Sequence, residues 1–390
     1  MLQDRTACPI QGPYTPPMVQ LDSAPEPKPL AVTHDAYLAA RAHAEPADLA
    51  LDRYESFHRA GLDPDGLVPA PTRIETTTSD EGPVRKFLLP VPPRPGARRD
   101  VGPLEVESVI IPMRSRHETT HTLCVSSQVG CAMGCTFCET AQMGLVRPLH
   151  PAEIVAQWWA ARHHLGQFIR NIVFMGMGEP LDQVETTIEA IRILTDHHGP
   201  AIPMKRITVS TVGRLDGMAH LREQFLKPGW RKLNLAISIN APNDEIRSQL
   251  MPVNRSMPMD DLIAMLETWP FRKNGKFCCE YVLIPGVNDA DAHADELAHR
   301  LRNIPCCVNV IPYNPRRDSP WPAPHEDDVW RFLSRLEANG QFCKRRRTKG
   351  RDTMAACGQL GAAHIRNRRV IPRVASLTSS ALTSRTANQS

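Results

Sequence analysis

No run of 18 consecutive apolar residues occurs in the 390-residue chain, which excludes a membrane-spanning helix. Residues 1–30 lack an apolar h-region and carry acids and seven prolines, so no secretory signal is expected there. Charge of one sign is lacking too: 46 Lys and Arg against 42 Asp and Glu leave a formal +4, which selects no partner. The 11 cysteines lack the even count of a disulfide framework, and Cys278-Cys279 and Cys306-Cys307 are adjacent. They point to metal binding or thiol chemistry, and a cytoplasmic protein is expected. With 42% hydrophobic and 23% charged residues, the composition is that of a globular chain. Its length suffices for one large α/β unit plus something smaller, without covalent staples.

Proline punctuates the organisation. Residues 1–34 read as a disordered proline-rich segment, and 35–103 as a small accessory region and connector. Within it, two short helices broken at Pro46 are expected over 35–62, then a loop-rich stretch with one strand at 85–89. The compact unit is expected to start near Leu104 and to run to 360. The remainder, 361–390, reads as a basic and then Ser/Thr-rich tail with a disordered end. Inside the main unit, apolar β-branched runs at 106–111, 122–125, 171–175, 206–211, 233–239, 280–284 and 308–312 alternate with helical patterns. The helices fall at 151–164, 181–197, 213–225, 259–269, 290–302 and 325–339. That alternation implies βαβ units on a parallel sheet: an α/β fold, a partial (βα)6 barrel beside a mostly helical N-terminal region. Chemistry in such sheets sits at the C-terminal ends of the strands.

Cys131, Cys135 and Cys138 form a CxxxCxxC loop shortly after a predicted strand. Thiolates select zinc or iron–sulfur clusters. Three in one loop can hold three irons of a [4Fe-4S] cluster and leave the fourth open, where the amino and carboxylate groups of S-adenosylmethionine can bind. A zinc site short of a ligand and three unrelated structural cysteines are the alternatives. Zinc would ordinarily bring two CxxC pairs or a His motif. M-G-M-G-E-P at 175–180 follows the next strand: Gly178 would let backbone approach a ligand closely, and Glu179 offers acceptors to an ammonium. Ser210, then Ser238, Ile239 and Asn240, then Asn314 end three further strands. Each polar residue alone suits a cap or turn, but together they suit a polar ligand. Lys344, Arg345, Arg346, Arg347, Lys349 and Arg351, followed by Arg366, Arg368, Arg369 and Arg373, form either a solvated basic face or the footprint of a polyanion such as RNA.

The ordered motifs C-V-S-S-Q-V-G-C at 124–131, T-A-Q-M-G at 140–144, M-G-M-G-E-P-L at 175–181, S-T-V-G at 210–213, L-A-I-S-I-N-A-P-N-D at 235–244, I-P-Y-N-P at 311–315 and A-A-C-G-Q-L at 355–360 resemble the RlmN/Cfr family of radical S-adenosylmethionine methyltransferases. The likeness runs from about Gly82 to Leu360. It implies methylation of an adenine ring carbon, C2 or C8, in 23S ribosomal RNA, with transfer RNA as a further substrate of some members. It implies a [4Fe-4S] cluster on Cys131, Cys135 and Cys138, two S-adenosylmethionines per turnover and a cytosolic electron donor such as flavodoxin or ferredoxin. Cys357 stands at the family's methyl-accepting position, and Cys124 at that of the cysteine that releases product through a transient Cys124–Cys357 disulfide. Glu107 stands at the position of the proton acceptor. The cations upstream of Cys357 are expected to lower its pKa, and the other six cysteines to be structural or incidental. A monomer without membrane contact is expected.

The chain departs from the family pattern at Arg147-Pro148, where relatives commonly have Arg-Asn, and at Met354, where an acid is frequent. The N-terminal region is divergent, and residues 90–103 lengthen the connector, so RNA target choice is left open. Two rival readings stand: a radical enzyme acting on a protein or small molecule, and a non-catalytic iron–sulfur RNA-binding sensor.

Overall fold

The computed structural model describes residues 28–93, 103–114, 118–347, 350, 354–362 and 365. Most of the expected disordered segment 1–34, the tail beyond 365, and Lys349, Arg351, Arg366, Arg368, Arg369 and Arg373 lie outside the described residues.

Strands β1 (Arg73–Ser79), β2 (Gly82–Val91), β3 (Leu104–Arg114) and β4 (Thr119–Cys124) form an antiparallel meander. β5 (Gln128–Gly130) and β6 (Leu145–Pro148) make a separate two-stranded ribbon around the cysteine loop. From β4 the main sheet continues parallel through β7 (Ile169–Phe174), β8 (Ile207–Thr211), β9 (Asn234–Ser238), β10 (Phe277–Leu283), β11 (Cys306–Pro312) and β12 (Cys343–Arg345). Every strand of this ten-stranded sheet lies beside its sequence neighbour, apart from the β5–β6 excursion. No pairing joins β12 to β4, so the barrel is partial.

Helices α1 (His34–Arg41) and α2 (Ala47–Glu55) precede the sheet, and the short α3 (Glu139–Gln142) follows the cysteines. The crossover helices are α4 (Pro151–Trp159), α5 (Val184–Thr195), α6 (Leu215–Phe225), α7 (Asp244–Leu250), α8 (Met259–Glu267), α9 (Asp291–Leu301) and α10 (Glu326–Ala338). Their apolar stripes pack on a sheet whose helix-facing Ile172, Val209, Ile237, Tyr281 and Val310 are fully buried, as expected for parallel strands covered by helices. No helix among the described residues is long and apolar enough to cross a membrane.

The N-terminal helices fall where Pro46 divides them, and they dock on the barrel. Phe57 stacks on Trp159 with centroids 5.6 Å apart, and the Trp159 indole N–H donates to the Phe57 carbonyl at 2.9 Å. Several elements differ from the sequence reading, among them the strands β5 and β6 and the helices α3 and α7, which it did not contain. The connector holds two strands rather than one, and β2 pairs with β3 over seven residues, so the sheet runs across the expected start near Leu104. β1 escaped notice because its Thr-rich sequence sits half-exposed at an edge. β12 adds a seventh parallel strand to the expected six, hidden in sequence by its Cys-Lys-Arg composition.

Candidate active site

The cysteine loop is built by close backbone contact. Gly130 has φ +78°, and a Cβ there would lie 1.8 Å from the Gly144 carbonyl oxygen, so only glycine lets β5 and β6 close beneath the loop. The Cys131 amide donates to that same oxygen at 3.0 Å, and the Thr136 amide donates to the Leu250 carbonyl at 2.9 Å. Thus pinned, Cys131, Cys135 and Cys138 share the wall of a cavity of about 140 Å³ with Gly178, Glu179, Ser210, Ser238, Asn240, Asn314 and Cys357. Their thiols are free. Burial foremost, and the neighbouring thiolates next, push the Cys131 and Cys135 pKa values up, and burial does the same for Cys138. Three clustered thiols that resist ionisation alone are a donor set that needs a metal cation to become thiolates.

Ile239 is the one expected lining residue the structure turns away. Ser238 and Asn240 face the cavity, while the Ile239 side chain between them enters the apolar core. Gly176 and Gly178 line the cavity and also meet a packing demand. A Cβ on Gly176 would meet Ser126 Oγ and the Val125 carbonyl at 2.7 Å, and one on Gly178 would meet Gln128 Cβ at 2.6 Å. The first demand on these glycines is therefore packing against segment 125–128. That packing is fixed by the Glu179 amide donating to Gln128 Oε1 at 3.0 Å. The Glu179 carboxylate accepts from the amides of Leu181 at 3.0 Å and Val212 at 2.9 Å. Burial raises its pKa to about 7 against those hydrogen bonds, so a cation arriving beside it would restore its charge.

A second cavity of about 740 Å³ adjoins the first and is lined by Cys124, Cys357, Glu280, Asn309 and the cations Lys205, Arg206, Lys276, Arg345, Arg346 and Arg347. Cys357, with Met175, Glu280, Ile311 and Asn314, belongs to both walls. Burial pushes the Cys124 thiol up to about 12, with the neighbouring Cys357 charge adding to it. Cys357 also titrates above the usual thiol range: burial outweighs the nearby Arg346 cation. The expected lowering by upstream cations is thus reversed, because among the described cations of that run only Arg346 acts on the thiol. Arg346 pairs with Glu280 at 3.0 Å, and Arg345 turns to Glu326 at 2.5 Å. Cys278 and Cys307, expected to be structural or incidental, pair across β10 and β11 and line this cavity, while Cys279 and Cys306 are buried.

Glu107 is buried on β3 and outside both walls. Its Oε2 accepts from the Gly361 amide at 3.3 Å and lies 3.8 Å from Lys86 Nζ. Burial raises its pKa, and Lys86 opposes the shift. Arg247 went unremarked in the sequence. Its buried guanidinium donates to the carbonyls of Val212 at 2.6 Å, Ser238 at 3.1 Å and Ile239 at 3.1 Å, and to Asn254 Oδ1 at 2.6 Å. It ties the ends of β8 and β9 to α7, where the cavity's polar residues sit. Its pattern left no signal in sequence because three of its four acceptors are backbone carbonyls.

A partial barrel with three cysteines and a Gly-Glu turn at the strand ends defines a radical S-adenosylmethionine enzyme. The sequence profile of the Radical SAM superfamily matches residues 125–298. A crystal structure of a radical SAM methyltransferase from Sphaerobacter thermophilus superposes with a TM-score of 0.72 at 36% identity, covering 85% of this chain and 98% of that one. The dual-specificity RNA methyltransferase RlmN of Phenylobacterium zucineum is 40% identical over 77% of this chain and 76% of its own. That of Halorhodospira halophila is 44% identical over 65% of this chain and 69% of its own. The chain belongs to the RlmN family of radical S-adenosylmethionine RNA methyltransferases.

Proposed function

We propose that this enzyme methylates an adenine ring carbon of 23S ribosomal RNA, with transfer RNA as a second substrate class, using Cys357 as a methyl carrier. The observation that carries the reading is the place of Cys357 on the shared wall of both cavities. One cavity holds the cysteine triad, and the other holds Cys124 and a rim of cations.

Cys131, Cys135 and Cys138 would hold a [4Fe-4S] cluster, and Glu179, Ser210, Ser238, Asn240 and Asn314 would surround S-adenosylmethionine. When bound and reduced by a donor of the flavodoxin or ferredoxin kind, this pair supplies a methyl group and a hydrogen-abstracting carbon radical. The Cys357 thiolate takes the methyl group from one S-adenosylmethionine. Standing on both walls, Cys357 would present the resulting S-methyl to that radical on one side and its carbon to the adenine ring on the other. The larger cavity has room for an extruded base, and Lys205, Arg206 and Arg347 stand at its wall for phosphates. Glu107 takes the ring proton once the Gly361 amide lets go of its carboxylate, a transfer its raised pKa suits. With that proton the ring adduct would give up its odd electron to the iron–sulfur electron-transfer partner; the Cys124 thiolate would then attack the sulfur of Cys357, forming a disulfide as the methylene carbon leaves sulfur and takes up a proton to become the ring methyl. That disulfide must be reduced before the next turnover, which calls for a reducing cytosol.

Anaerobic turnover on a 23S ribosomal RNA fragment, with nucleoside mass spectrometry, tests the reading. Methyladenosine is expected with the intact chain. A Cys357→Ala chain that still forms it refutes the carrier role, and methylation only of a protein or small molecule refutes the RNA assignment.

A further inference from the structure

The geometry points to a divalent transition-metal site made by His34, His197 and His198, outside the walls of the two cavities. One ligand atom from each histidine lies within 4.8 Å of the others. His34 opens α1, and the other two follow α5 in the loop that leads to β8. That loop enters β8 at its N-terminal end through Lys205 and Arg206, which stand on the wall of the larger cavity, while the three histidines lie outside both walls. The rings are already gathered: centroids are 4.3 Å apart for His34–His198, 4.1 Å for His197–His198 and 5.0 Å for His34–His197.

Carboxylates stand behind the rings. His34 Nδ1 lies 2.9 Å from Asp196 Oδ1, and His198 Nδ1 lies 2.7 Å from Glu55 Oε1. Each contact places the ring proton on Nδ1 and leaves the Nε2 lone pair for a metal, the arrangement that orients metal-bound histidines. The Asp196 carboxylate is itself fixed by the backbone amides of His34 at 2.6 Å and His198 at 3.0 Å, and by the Tyr54 hydroxyl at 3.3 Å. A further observation suits a cation: His34 Nε2 lies 3.1 Å from Asp35 Oδ1. An ion between these two atoms would take one ligand from each, at a separation that a tetrahedral ion with bonds of about 2.0–2.2 Å spans. Charge favours the metal. Among the described residues Asp35, Asp196 and Glu55 stand against the rings, and the cation Arg59 bonds Glu55 at 3.1 Å and the His197 carbonyl at 2.5 Å.

Zinc suits such nitrogen and carboxylate ligands at about 2.0–2.2 Å. Exposed His197 is free to swing inward, and Asp35 offers a fourth ligand. The ion lashes the start of α1 to the barrel and holds the N-terminal helices in place.

The test loads the full chain, carrying its iron–sulfur cluster, with zinc sulfate, dialyses it and measures bound zinc and iron. Zinc K-edge absorption then reads the ligands. One zinc per chain with nitrogen and oxygen neighbours and no sulfur is expected, together with a higher melting temperature. His197→Ala, at an exposed ring whose loss spares the fold, abolishes both effects at unchanged iron content. Glu55→Gln weakens zinc binding by about 10–100-fold. No retained zinc, zinc with sulfur neighbours, or zinc untouched by His197→Ala would each overturn the site.

Discussion

Replacing Arg247 by Met removes the clamp across the ends of β8 and β9, and its cost follows from the contacts. Four hydrogen bonds from a buried cation are lost, each worth about 1.5–3 kcal/mol, or about 6–12 kcal/mol together. Against this stands the cost of burying the charge, which pulls the Arg247 pKa down to about 10. At about 1.4 kcal/mol per unit, that offsets roughly 3 kcal/mol. The remainder, about 3–9 kcal/mol, shrinks because bonds in one network are not additive. A loss of about 3–5 kcal/mol is expected, because three backbone carbonyls and Asn254 Oδ1 are left buried without their donor. Urea unfolding of cluster-free protein under anaerobic conditions measures it without the complication of a bound cofactor. Because the freed carbonyls adjoin Ser238 and Asn240, S-adenosylmethionine binding should weaken in the refolded variant too. Arg247→Lys, with its charge kept and fewer donors, should fall between. An Arg247→Met chain within about 0.5 kcal/mol of the parent, at the noise of surface substitutions, would refute the clamp.

Arg346→Gln removes the cation that opposes the rise of the Cys357 pKa, so the pH profile of single-turnover methyl transfer to Cys357 should move to higher pH; an unmoved profile would dissociate the two groups. Glu179 titrates near 7 when folded against 4.5 when free. The folded chain therefore binds the extra proton between these values, and the stability of the cluster-free protein should fall by about 3 kcal/mol as pH rises from about 4.5 to 7. Glu179→Gln should flatten that slope, and urea midpoints across the window check it. Glu107→Gln should slow product formation by about 10²–10⁴-fold if the carboxylate takes the ring proton, while leaving methyl loading of Cys357 at the parental rate; equal slowing of both steps would assign Glu107 a structural role through Gly361.

The parts legible in sequence were those whose partners are close along the chain. Cys131, Cys135 and Cys138 announce themselves because three ligands share one loop, and Pro46 marks the α1–α2 break by itself. The strand ends carrying Ser210, Ser238 and Asn314 followed from alternating βα patterning. What depends on distant partners was hidden. The charge environment of Cys357 was misread because neighbours in sequence point elsewhere: Arg345 reaches Glu326, and burial, which no local pattern encodes, decides the thiol's titration. The glycines of 175–180 answer to segment 125–128, some fifty residues upstream, and Arg247 answers to carbonyls on two strands. The edge strand β1 and the three-residue β12 are held by register with their neighbours rather than by their own propensity.

The central claim is that Cys357 carries the methyl group from one cavity to the other. Trideuteromethyl S-adenosylmethionine and unlabelled RNA in a single anaerobic turnover test it most directly, with peptide and nucleoside mass spectrometry on the same sample. A trideuteromethyl group on Cys357 before reduction is expected, followed by a ring methyl retaining two deuteriums. An unlabelled Cys357, or a product methyl that keeps all three deuteriums, would contradict it.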